Sequence, residues 1–231
     1  MRRLGIGIAV LLVLVVAGDF GFRAYAESRM ASKVQTGLAL REKPDLDLRG
    51  FPFALAMARG RLSSAGFEAD GVVNEGLRVE HVQIDLRTVT FSTSAILAGS
   101  ADATIEARSG DGEATVTQED LSAFLADRGY AGRILFGAGV ATVETSFAGL
   151  GAVSATGPLR VDEQGRLVFE PERVDAGGEV PFPVEDLNLG FGFELPKPFV
   201  GFRYTGIEVT EGRATLQIAI EDAVIPIGSE G

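Results

Sequence analysis

Cysteine is absent from all 231 residues of the chain. Disulfides, zinc–thiolate sites, cysteine nucleophiles and a lipid-modified N-terminal cysteine are therefore excluded. Histidine occurs once, as His81, so any histidine-based metal site or triad rests on a single residue. Tryptophan is missing and lysine occurs at only three positions (Lys33, Lys43, Lys197). Basic residues number 21 against 32 acidic ones, for a net charge of −11. That balance argues against nucleic acid, which needs a basic footprint, and against docking to anionic membrane by a polybasic patch. No serine sits in a Gly-x-Ser-x-Gly elbow and no phosphate loop is present. What remains is globular in composition, with 46% hydrophobic and 23% charged residues, in a chain long enough to bury a core without covalent staples.

The N-terminus carries an export or anchoring pattern. Arg2 and Arg3 precede Leu4 to Gly18, which are 15 uncharged and mostly apolar residues. Asp19 interrupts this run, and Phe20-Gly21-Phe22 resume it before Arg23. Two alternatives stand side by side. Ala24-Tyr25-Ala26 is a small-x-small cleavage site, which makes residues 1–26 a removable signal. Alternatively, Leu4 to Phe22 spans roughly 28 Å as a helix and serves as a membrane anchor with a carboxylate near one end. Both place residues 27–231, read as a single α+β domain, outside the cytoplasm, because the positive charges stay inside.

Beyond this segment, Ala26, Met30, Val34 and Leu38 recur at helical spacing and predict an amphipathic helix from Ala26 to Leu40. Asp45 to Leu48 alternates as a strand. Gly50-Phe51-Pro52-Phe53 turns into a short helix that Gly60 closes. Arg61 to Asp70 and Leu77 to Val89 predict strands; the second changes phase at Glu80-His81, which suggests a bulge. A one-turn helix at Ser94 to Leu97 and a strand from Ala101 repeat the order short helix, glycine, strand. Asp111-Gly112 reads as a hairpin turn. Thr117 to Asp120 is a capping box ahead of a helix with Leu121, Phe124 and Leu125 on one stripe. From Arg133 onward the pattern is strands and turns, with strands predicted at Val140 to Phe147, Gly151 to Val161 and Arg166 to Val174. Similar hairpins are predicted at Leu159 to Arg166 and Ile207 to Arg213, and Ala214 to Ile220 alternates regularly.

Titratable constellations are sparse. His81 beside Glu80 is either a general base with a carboxylate partner or a surface histidine, and the latter reading is favoured. Asp45 and Asp47 share a strand face but supply too few ligands for calcium. Glu119 and Asp120 are accounted for by the dipole of the helix they open. No metal, cofactor or catalytic set is expected. Phenylalanine is the telling residue, with 15 copies. Between Val180 and Phe202 five of them (Phe182, Phe191, Phe193, Phe199, Phe202) interleave with four prolines (Pro181, Pro183, Pro196, Pro198). Apolar residues on a segment that proline keeps irregular either cover a core or rim an apolar cavity.

The order of motifs resembles the LmeA-type phospholipid-binding proteins of the actinobacterial cell envelope. The resemblance is carried by the apolar segment running into Ala24 to Arg29, by Gly50-Phe51-Pro52-Phe53, and by Gly60 followed by a strand. It continues through Gly76 to Leu86, Ala114 to Leu121, Ala155 to Val161, and Leu195-Pro196 through Val209 with the terminal hairpin. It covers nearly the whole chain. The resemblance implies a tubular lipid-binding-like α+β fold: a long, strongly curved antiparallel sheet wrapped around one or two helices, enclosing an apolar groove. It brings no catalytic residues.

The function expected is non-enzymatic binding of phospholipid at the outer face of the plasma membrane, supporting envelope lipid or lipoglycan maintenance. Phe51, Phe53, Phe67, Phe191, Phe193, Phe199 and Phe202 are the candidate groove-lining residues. Arg59, Arg61 and Arg203 are candidate phosphate contacts, because the guanidinium fork suits phosphate; solvated surface charge is the competing reading. An envelope scaffold without bound lipid, recruiting a protein partner through a sheet edge or a phenylalanine patch, is the alternative. A hydrolase or transferase is the third.

Overall fold

A computed structural model describes residues 2–37, 40–98, 103–130, 132–147, 151–176 and 189–226. Antiparallel strands dominate, with few helices, in the α+β class. Six strands form the main sheet, in the order β1 (Asp45–Arg49), β2 (Arg61–Asn74), β3 (Leu77–Phe91), β4 (Thr104–Thr117), β13 (Arg213–Pro226), β12 (Val200–Thr210). A second sheet joins β10 (Arg173–Ala176), β7 (Gly151–Gly157), β6 (Ala141–Phe147) and β5 (Arg133–Phe136). A third joins β11 (Phe191–Glu194), β9 (Arg166–Phe169) and β8 (Leu159–Val161).

The registers stack apolar residues in rows across one face of the main sheet. Ala69, Val82, Ala114 and Leu216 form one row; Phe67, Ile84, Gly112, Ile218 and Tyr204 the next; Ala65, Leu86, Gly110, Ile220 and Phe202 a third. Below them, Leu62, Val89, Ala107 and Ala223 are in register. Between these last two rows the alternation slips by one residue in every strand. The slip falls at Thr88 (φ 52°), Asp222 (φ 44°) and Gly201 (φ 87°), all left-handed. Pairing skips Thr88 and Asp222, and the β12–β13 register shifts beside Gly201. A single crease thus crosses the sheet, and the strain of a β-branched Thr88 in the left-handed region belongs to it.

Helix α4 (Gln118–Ala126) is capped as the sequence predicts: the Thr117 hydroxyl accepts the Asp120 N–H at 3.1 Å. Its stripe of Leu121, Phe124 and Leu125 is fully buried, and it packs on β3, β4 and β5. Helix α2 (Phe53–Ala58) is closed by Gly60 at φ +64°. A third short helix, α3, spans Thr93–Ala98.

Four sequence expectations change. The helix expected to begin at Ala26 is the continuation of α1, one helix over Arg2–Gly37; Leu38 lies outside the described residues. Asp111-Gly112 is not a turn but lies inside β4, where a Cβ on Gly112 would come 2.4 Å from the Gln83 carbonyl oxygen. Its glycine serves a close strand approach rather than a hairpin. The phase change at Glu80-His81 is real, but the β2–β3 register is the same on both sides of it, with Asp70 opposite His81 and Val72 opposite Val79. Gly71, at φ +67°, faces the irregular position, so no extra residue is inserted. Finally, the run from Gly151 to Val161 is two strands, broken at Pro158. Pro181, Phe182 and Pro183 lie outside the described residues.

Helix α1 packs on β1 and α2. Ala31 is buried in it, and Ala26 and Met30 pack on the core. Asp19, which reads in the sequence as an interruption of an apolar run, accepts the N–H groups of Phe53 and Ala54 at 2.7 and 2.9 Å. Glu27 accepts the Leu48 N–H at 2.8 Å on edge strand β1 and pairs with Arg23, which also pairs with Asp47. Among the described residues no helix is long and apolar enough to cross a membrane. The side chains of residues 1–17 lie outside that set, and the signal-or-anchor expectation with them.

A Cβ on Gly60 would sit 2.1 Å from the Phe91 carbonyl oxygen, whereas one on Gly76, also left-handed at φ +88°, would meet nothing within 4 Å. Gly76→Ala therefore costs about 1 kcal/mol, the left-handed penalty alone. Gly60→Ala adds the clash and costs more than twice that, roughly 2–4 kcal/mol. Urea denaturation midpoints of the two variants measure the difference.

Candidate functional site

The apolar face of the main sheet is not evenly covered. In the row of Val82 and the row of Val89 these side chains are 9% and 2% exposed. Between them Phe67, Ile84 and Leu86 are only half-buried, with Ala65 beside them. Phe67 is directly opposite Ile84, and Ala65 opposite Leu86, so the four form a patch over the middle of β2 and β3. Toward β13 the same two rows contain Gly112 and Gly110, which place no side chain above the sheet. Beyond the glycines, Ile218, Ile220, Phe202 and Tyr204 are buried. We call this half-buried patch the apolar trough: buried rows bound it at both ends, the side chains of Ile84 and Leu86 lean over the two glycines, 3.1 Å from where a Cβ would sit, and the rings of β12 form a wall beyond Ile218 and Ile220.

That wall is a chain of rings. Phe199 and Phe202 meet edge-on with centroids 5.4 Å apart, and Phe202 meets Tyr204 at 4.9 Å. Such pairs hold each ring's angle beyond what area burial alone would do. The Tyr204 hydroxyl donates to the Pro196 carbonyl at 3.0 Å. Burial pushes its pKa up to about 12, so the wall is neutral at any physiological pH.

The seven phenylalanines picked from sequence fall in four places. Phe67 is in the trough, and Phe199 and Phe202 are in its wall. Phe191 and Phe193 belong to another ring cluster with Tyr130 and Phe169, centred on β9 and β11. Phe53 is buried under α2 with its ring 5.8 Å from Phe22 of α1. Phe51 is 76% exposed. Ile84, Leu86, Gly110 and Gly112 were missed by sequence reasoning. Their signal was the interruption of a regular apolar alternation by two glycines on the neighbouring strand, and it is legible only once the registers are known.

Of the three arginines, Arg203 lies on the opposite, polar face of the sheet, 3.3 Å from Glu221. Arg59 and Arg61 are exposed at the α2–β2 corner, and among the described residues neither has an ion-pair partner. His81 is also on the polar face, with Nδ1 2.7 Å from Asp70. Glu80, next to it, is held below the usual carboxylate range by the Arg213 guanidinium at 2.6 Å. Among the described residues no group of three or more His, Cys, Asp or Glu side chains could hold a metal ion.

A separate surface recess of about 550 Å³ opens at the far end of β12, lined by Ala138, Leu159, Ile207 and Val209 with Glu208 and Glu211. None of the residues picked from sequence lines it. Its two carboxylates would repel a phosphate, so it is the poorer place for a phospholipid.

The model of the LmeA-like phospholipid-binding family matches residues 17–222, and the chain belongs to that family. No curated protein and no solved structure matches.

Tyr204→Phe leaves the buried Pro196 carbonyl without its donor and costs about 1–3 kcal/mol. It also changes the alkaline limb. The unfolded phenol ionises near its ordinary pKa of 10, whereas the folded one holds its proton to about 12. The unfolded state therefore loses a proton first, and this residue's contribution makes stability fall with rising pH across that interval. Denaturation midpoints measured through this interval fall less steeply for Tyr204→Phe.

Proposed function

We propose that the protein holds the acyl chains of a phospholipid in the trough over β2 and β3, without a catalytic step, at the outer face of the plasma membrane. The observation that carries the reading is the half-buried patch of Phe67, Ile84 and Leu86 between the buried rows of Val82 and Val89. Family membership supports a lipid-binding role in general. The crease through Thr88, Asp222 and Gly201 supports a sheet that curves around α4 in the tubular manner. The placement of Arg2 and Arg3 ahead of the uncharged run Leu4 to Gly18 supports an extracytoplasmic position for the domain.

The physics is that of transfer. Each methylene moved from water to an apolar surface contributes about 0.8 kcal/mol, so two chains bind without help from charge. That suits a protein whose net charge is −11. The trough is neutral and ringed by hydrocarbon, so it discriminates little between headgroups. Selection, where it occurs, falls to groups at the rim. Support for envelope lipid or lipoglycan maintenance would follow from holding such a lipid outside the bilayer.

Native mass spectrometry of the full chain, extracted from its own membranes, is expected to show a phospholipid-sized adduct. Leu86→Trp fills the trough and is expected to lower uptake of radiolabelled phospholipid at least tenfold, with an unchanged denaturation midpoint. Gln83→Trp, an equally large change on the polar face, leaves uptake as it is. Unaltered uptake by Leu86→Trp would remove the trough from the account.

A further inference from the structure

We infer that the end of the main sheet carrying α1 and α2 is a membrane-docking surface, and that α1 stays attached to the domain as part of it. The first observation is where exposed apolar side chains lie. Nine large apolar residues are exposed among those described, and six of them are at this end: Phe20, Phe22, Phe51, Leu55, Val200 and Val224. Val200 and Val224 are cross-strand partners, in register through Glu106 and Thr90 with Arg61 beside α2. They therefore sit at the same level of the sheet as the α2 corner. At the opposite end the exposed ones are Val73 in the β2–β3 hairpin and Val140 in the turn beside the β12–β13 hairpin.

The second observation says what covers this surface. Phe20 and Phe22 are on α1, and the same helix runs back into Leu4 to Gly18, which has no charged residue. The exposed aromatics are thus continuous along one helix with a stretch that is uncharged and mostly apolar in sequence. Tyr25, exposed on the same helix just beyond them, matches the preference of amphipathic aromatic rings for the bilayer interface. Arg59 and Arg61, exposed and without ion-pair partners among the described residues, follow Leu55 at the α2–β2 corner, where their guanidinium groups would reach for the phosphate layer. A bilayer surface fits this chemistry, and a largely neutral one fits a net charge of −11 better than an anionic one.

The third observation concerns α1 itself. Asp19 caps α2, Arg23 pairs with Asp47, and Glu27 holds both Arg23 and the Leu48 N–H. Cutting after Ala26 would remove the first two and expose the surfaces they cover. The family match also begins upstream of that point, at residue 17. Asp19 and Arg23 therefore belong to the working fold rather than to a leader that is discarded.

The chain has no tryptophan, so one introduced residue reports alone. The full chain is reconstituted in phosphatidylcholine vesicles whose acyl chains are brominated, with unbrominated vesicles as reference. Phe51→Trp is expected to lose most of its emission to bromine, and Val73→Trp, at the far hairpin, none. Leu55→Trp repeats the measurement should Phe51→Trp fold poorly. Equal quenching at both ends, or none at α2, overturns the inference. So does an unquenched but blue-shifted Phe51→Trp that cross-links to itself, which would mean a second copy on this surface. Peptide mapping of the protein from its own membranes is expected to recover residues 19–26, and a chain beginning at Glu27 overturns the retained helix. The quenching reads docking whether or not the trough holds lipid, so it fails separately from the proposed function.

Discussion

The constraint on which the structure depends is a mismatch of lengths. β2, β4 and β13 each run 14 residues, roughly 45 Å of strand. They present one apolar face along that whole length. α4, the helix laid on this face, has nine residues and covers roughly 14 Å. Apolar surface left in water costs about 25 cal/mol for each Å², so the rest of the face must find other cover. Part comes from Ile134 and Phe136 of β5, which are buried in the same core cluster. Over β2 and β3 the two middle rows stay half-buried, and there a fatty chain would complete a core the polypeptide leaves unfinished.

The other face of the same sheet shows why the ligand belongs inside. Asp47, Asp85 and Asp111 lie in one cross-strand row, and Glu68 and Glu113 in the next. Arginines answer some of these charges: Arg87 pairs with Asp111, Arg213 with Glu80, Arg203 with Glu221. Exposed pairs of this kind add little stability. Their effect is on solubility and direction: a face so acidic stays hydrated and repels phosphate, which leaves the apolar face and the two sheet edges for other contacts. At β1 even the edge is closed, because Glu27 takes the Leu48 N–H that would otherwise be free to pair with another chain.

Much of the local structure was legible because it follows from short-range chemistry. Thr117 with Asp120 announced α4, Gly60 announced the end of α2, and the two Gly-containing hairpins closed where expected. What failed did so at positions of long-range contact. Gly112 follows an aspartate and so mimics a turn, yet it is glycine because β3 passes too close for a side chain. The apolar alternation of β3 breaks twice without any change of register, and a reader of one strand cannot know that its neighbours break at the same level. Asp19 looked like a flaw in an apolar helix, and its partners are the N–H groups of residues 53 and 54.

By itself, the sequence determined the class of the protein: antiparallel strands with a few capped helices, acidic, without cysteine or a histidine cluster, and built around phenylalanine. These follow from composition, periodicity and caps, all of which act within a few residues. Only the tertiary structure decided which phenylalanines meet, sending two to β11, two to the wall of the trough and one to solvent. It also decided that Phe67, Ile84 and Leu86 stay half-buried between two buried rows, and that α1 is pinned to β1 and α2. The physical reason is that exposure and charge pairing depend on which strand lies alongside, and antiparallel register over such distances is set by the whole sheet at once.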